Sequence, residues 1–182
     1  MSIINSNHKR IVTAFLLTVM FSLPLQGQEV TVDQLFDQLQ NAPADQADKI
    51  EDKIIEIWSR SGSPSMDLLL ERGRKALDDD DSLAAIEHLT ALIDHAPDFA
   101  EAYNMRATAY FDAGYFGPAM ADLRRVLALN PRHFGAMTGV AVILESSDEP
   151  QKALKVYRQV QKLLPHDKDI TDAIARLQDV AL

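Results

Sequence analysis

The sequence predicts an all-α solenoid of helix hairpins, and three series of residues predict it. Pro97, Pro131 and Pro165 follow one another at intervals of 34 residues, and Ala85, Ala119 and Ala153 keep the same interval. So do the small residues Gly73, Ala107 and Ala141. A period of that length is the mark of a repeat architecture, so the chain from about Met66 to Pro165 reads as one helix–turn–helix unit written three times, over 66–99, 100–133 and 134–167.

Each unit follows from local chemistry. Its first helix carries the small residue where a neighbouring helix comes close, and its second helix carries the alanine that faces back; larger side chains would push the two apart. The proline comes after the second helix and stops it, because it lacks a backbone donor and restricts the residue before it. Leu69, Tyr103 and Met137 form a bulky series in the first helices, and Leu89, Leu123 and Tyr157 form one in the second.

Before the repeats the chain changes character twice. His8, Lys9 and Arg10 precede the apolar stretch 11–25, which contains Pro24 and is followed by the small Gly27. Charge, a short apolar run, a breaker and a small residue predict a secretory signal over 1–27, with cleavage after Gly27 and a periplasmic address. The run is shorter than the roughly 20 residues a spanning helix needs, so an uncleaved amino-terminal anchor facing the same side is the alternative. With no cysteine in the chain, lipidation at the cleavage site and disulfides are both excluded.

In the segment 28–60, Val32, Leu35, Phe36 and Leu39 fall at helical spacing, and Asn41-Ala42-Pro43 ends that stripe. A longer helix from about Asp45 to Ser59 follows, with Ala47, Ile50, Ile54, Ile57 and Trp58 on one side. The pair lacks the small-residue series, so it is expected to be an amino-terminal cap or a degenerate repeat. Residues 61–65, Ser-Gly-Ser-Pro-Ser, read as an ordered turn, with Ser65 as cap of a helix beginning near Met66. The repeat domain as a whole, 66–182, closes with a helix whose Ile170, Ile174 and Leu177 cover the apolar end of the stack.

Composition narrows the function classes. Lys9 and Arg10 are the only charged residues of 1–27 apart from His8, so removing that segment takes the formal charge from −9 to −11. Nucleic acid and anionic surfaces are thereby disfavoured. Asp78-Asp79-Asp80-Asp81 lacks the spacing, turn glycine and distal glutamate of a calcium loop and reads as the turn inside the first unit, with Asp81 or Ser82 capping the next helix. His95, His133 and His166 accompany the turns, and no metal or cofactor is expected. No nucleophile–base arrangement or phosphate loop has usable context, so no enzyme is predicted.

The middle unit, AEAYNMRATAYFDAGYFGPAMADLRRVLALNP from Ala100 to Pro131, resembles the tetratricopeptide repeat family, with Tyr103, Ala107, Tyr110, Gly114, Ala119 and Pro131 in that family's places. Leu92, Val126 and Val160 depart from a usual alanine, and Arg72 and Arg106 from a usual leucine. The resemblance implies a right-handed superhelix whose concave face, built by the first helices, holds a protein or peptide partner. Carried over, the groove consists of Asp67, Leu70, Arg74, Leu77 and Asp78; Glu101, Asn104, Thr108, Phe111 and Asp112; and Gly135, Thr138, Val142, Glu145 and Ser146. Relatives that grip the carboxyl-terminal tails of heat-shock chaperones carry lysine, asparagine and arginine where this chain is matched to Leu70, Arg74, Met105, Gly135 and Gly139, so that clamp is not expected. The implied function is an exported, non-catalytic adaptor with an envelope partner. The alternatives are a structural subunit of a constitutive homo- or hetero-oligomeric envelope assembly and, more remotely, an exported enzyme.

Overall fold

In a computed structural model, residues 30–180 are described. The expected signal segment and its cleavage site at Gly27 lie outside the described residues. Every element is helical: α1 Val32–Asn41, α2 Ala44–Trp58, α3 Pro64–Asp78, α4 Ser82–His95, α5 Ala100–Asp112, α6 Phe116–Leu129, α7 Phe134–Ser146, α8 Pro150–Leu163 and α9 Lys168–Val180. The three units are the hairpins α3–α4, α5–α6 and α7–α8, each packed on the next. The helix expected to begin near Met66 starts two residues earlier, with Pro64 in its first turn and Ser63 rather than Ser65 as the cap. Proline fits there because its missing donor would be unsatisfied anyway.

The small residues sit where the hairpins close. Ala85, Ala107, Ala119, Ala141 and Ala153 are all buried. At Gly73 even one added carbon would stand 2.6 Å from the Leu89 side chain. The turns inside the hairpins carry a further series at the same interval: Asp80, Gly114 and Asp148 all adopt positive φ, at 58°, 79° and 58°. In each turn the next amide reaches back to a carbonyl five residues earlier, Asp81 to Ala76, Tyr115 to Tyr110 and Glu149 to Leu144, at 2.7–2.9 Å. This left-handed closure ends a helix cleanly, and glycine or aspartate tolerates it better than a bulky residue. Asp81 then caps α4 by accepting the Ala84 amide at 3.0 Å.

The helix pair at the amino terminus does not stack before the first unit, where a serial cap would lie. Leu35, Phe36, Leu39, Ala47, Ile50 and Ile54 share one core with Phe134 of α7, Leu164, and Ile170, Ala173, Ile174 and Leu177 of α9. Gln40 donates to the carbonyls of Lys162 and Leu163, and Asp33 pairs with Arg132. Glu51 lies close enough to Asp167 to feel its charge. Trp58 stacks on His133, rings 4.6 Å apart, and Arg60 and Ser61 share a depression with Ala96–Phe99. Helix α2 therefore runs back along the three proline turns. The rise over the seven residues from Glu51 to Trp58 is about 10 Å, close to the spacing of packed helices.

Candidate functional site

The first helices α3, α5 and α7 line one face of the stack, and a cavity of about 140 Å³ opens between α5 and α7. Ala107, Gly135 and Gly139 leave room at its floor, Leu123 and Ile143 lie beneath, and Phe111 and Val142 wall it. Asn104, Thr108 and Thr138 supply its polar groups. Six of the carried-over groove residues thus meet at one place: Asn104, Thr108, Phe111, Gly135, Thr138 and Val142. They meet because α5 and α7 present the same register 34 residues apart, on neighbouring helices.

The same register fails for others, and each failure has a physical reason. Leu70 is 2% exposed, packed in the core of α3, α4 and α5, because an apolar side chain there gains more by burial than by lining an open face. Leu77 packs against the same core. Met105, matched to the chaperone-clamp set, is also buried in it, and the groove residue beside it is Asn104. Glu101 is buried with its Oε2 3.0 Å from His133 Nε2. Glu145 receives Arg176 of α9 at 2.7 and 3.0 Å and is engaged within the protein. Arg74 donates to Glu71 at 3.0 Å on α3, outside the cavity, and Asp112 is exposed at the end of α5.

The sequence reading of His133 as a companion of its turn falls short. His133 is buried, its Nδ1 accepts the Ala136 amide at 3.2 Å and so caps α7, and Nε2–H is left to donate to Glu101. Asn104 approaches the same carboxylate at 3.4 Å. A chain of contacts therefore runs from Trp58 on α2 through His133 and Glu101 to the cavity. A histidine immediately before a helix was the available signal, since a cap position rewards a side-chain acceptor.

A family model described as "Tetratricopeptide repeat" matches residues 70–116 and 105–168. A TPR repeat-containing protein of Rhizobium etli is 36% identical over 149 residues, which are 81% of this chain and 73% of that protein. Among solved structures, the first TPR of Spaghetti (RPAP3) bound to the HSP90 peptide SRMEEVD superposes with a TM-score of 0.60 at 24% identity, over 63% of this chain and 93% of that one. The crystal structure of MamA gives 0.60 at 21% identity, over 80% and 82%. At these identities the solved structures share the fold.

Proposed function

The chain belongs to the tetratricopeptide repeat family, and on that premise we propose that it is an exported, non-catalytic adaptor that holds a segment of a partner protein against α5 and α7. The observation that carries this reading is the cavity itself: apolar walls with Asn104, Thr108 and Thr138 placed around them can hold a side chain while bonding to the backbone beside it. An extended peptide suits such a face. The RPAP3 structure, with a peptide bound to the same fold, supports the mode and leaves the ligand open. The signal-like segment supports export, and amino-terminal sequencing from the envelope fraction is expected to begin near Gln28.

The adaptor reading is tested by capture. Replacing Asn104 and Thr108 together by alanine is expected to weaken recovery of a partner crosslinked in intact cells, with melting nearly unchanged because neither side chain belongs to the core. Arg124→Ala, on α6, is the control. Loss of capture in Arg124→Ala alone overturns the assignment of the binding face.

One observation favours a second reading, the structural subunit. Among the described residues no helix covers the end of the stack formed by α3, because α1 and α2 pack at the other end, and Leu68 on α3 stands 52% exposed. A concentration-independent oligomer in sedimentation would support this reading.

A further inference from the structure

Taking the groove reading as its basis, we propose that the cavity between α5 and α7 is a socket for one aliphatic side chain of an extended peptide whose adjoining residues are lysine or arginine.

The socket is kept open at a position where packing does not require it. At Gly139 an added carbon would come within 3.1 Å of Leu123, so helix packing explains that glycine. At Gly135 the nearest atoms to an added carbon are His133 at 3.6 Å and Asn104 at 3.8 Å, which is ordinary contact. Gly135 is the second residue of α7, and alanine, the better helix former, would fit there, so what glycine preserves is the space above it. That space is bounded by Phe111 and Val142.

Charge sets what enters and what flanks it. The nearest acid, Glu101, is consumed by His133, so no free charge lines the cavity, and a charged side chain entering it would be desolvated without a partner. Immediately beside it the rim is acidic. Asp112 follows Phe111, and Asp78, Asp80 and Asp148 stand exposed at the equivalent turns. Phe111 also meets Phe116 on that rim, rings 5.3 Å apart, which joins the socket to the turn. On the opposite rim Arg125 and Arg132 are already paired with Asp98 and Asp33. A basic flank is thus attracted from one side, and an acidic tail finds only repulsion there.

Three capped peptides test this by titration into the isotope-labelled protein: acetyl-Ala-Leu-Lys-Lys-amide, acetyl-Ala-Leu-Glu-Glu-amide and acetyl-Ala-Ser-Lys-Lys-amide. The first is expected to shift the amide signals of Gly135, Thr138 and Gly139 and to bind about tenfold tighter than either of the others. Gly135→Val should abolish the leucine preference. If that variant melts lower than the parent, Gly135→Ala, which the packing admits, is expected to weaken binding of the first peptide with full stability. Asp112→Lys should remove the preference for lysine over glutamate. Equal binding of the leucine and serine peptides, or tighter binding of the glutamate peptide, overturns the socket. If the peptides fail in this way while the Asn104 and Thr108 change still abolishes partner capture, the groove reading stands and only its ligand chemistry falls.

Discussion

Arg106 and Arg72 occupy the same register of successive repeats and live in opposite conditions. Arg106 donates to both oxygens of Asp122, at 2.7 and 2.9 Å, and to Thr90 of the preceding repeat at 3.0 Å. Its guanidinium lies 5.7 and 5.6 Å from the rings of Tyr103 and Tyr110, and only 15% of the side chain is exposed. The bonds to Asp122 hold its proton even more firmly than usual, against the opposing effect of burial. Arg72 has His88 where Arg106 has Asp122, and Leu69 and Ala76 where it has the tyrosines. Among the described residues no repeat packs before it, and it makes no ion pair. The family's usual leucine is absent from both places, yet only the second arginine is structural. A repeated residue therefore takes its energetic meaning from the neighbours at its copy of the register.

Substitutions in matched positions sharpen that contrast. Asp122→Ala leaves a largely buried guanidinium without its partner and is expected to cost about 3 kcal/mol, measured by chemical denaturation. A loss below about 1 kcal/mol would show that Arg106 finds water and that the two arginines differ less than their surroundings imply. The turns offer the next test. Gly114→Ala forces a β-carbon into positive φ and should cost about 1 kcal/mol, whereas Asp80→Gly at the matching turn should be neutral or stabilising. Equal effects at both turns would mean that the second repeat is not held more strictly than the first.

A third comparison concerns an acid in the reverse situation. Glu51 is pushed up to about 7, first by burial and then by Asp167, Asp48 and Asp52. Between the ordinary carboxylate range and pH 7 the folded protein keeps a proton that the unfolded chain releases. Stability from this group is thus present at low pH and lost as pH rises through that window. Glu51→Gln should accordingly raise the melting temperature at pH 8 by a few degrees and change it little at pH 4. Lowering at pH 8 would show that the ionised carboxylate is welcome beside Asp167. The smallest effect is expected for Arg72→Ala, within about 0.5 kcal/mol in the same denaturation assay.

Much of the fold was legible because the repeat constrains by exclusion. Nothing larger than Gly73 fits against Leu89, and that requirement is written at a fixed interval. The turn series Asp80, Gly114 and Asp148 was equally present but hidden, since aspartate and glycine share a backbone tolerance rather than a chemistry. The placement of α2 was not legible. Its stripe of Ala47, Ile50 and Ile54 says that one face is buried, and says nothing of what buries it. The site shows the same division. Register brought Asn104, Thr108, Phe111, Thr138 and Val142 to one cavity, but it could not see that His133 engages Glu101 and Arg176 engages Glu145. Those partners come from outside the repeat's own pattern.

The return of α2 along the proline turns changes how this array comes apart. A stack in which each unit touches only its neighbours behaves as a one-dimensional chain of weakly coupled segments, free to fray from either end. Here the linker near Ser61 lies against the turn at Pro97, Trp58 is fastened one turn further on, and the α1–α2 core reaches the last turn and α9. Fraying at the far end must release that core, and with it the brace that reaches the other units. Amide exchange is therefore expected to give similar opening free energies for α5 and α8, so that the molecule yields as a single cooperative body.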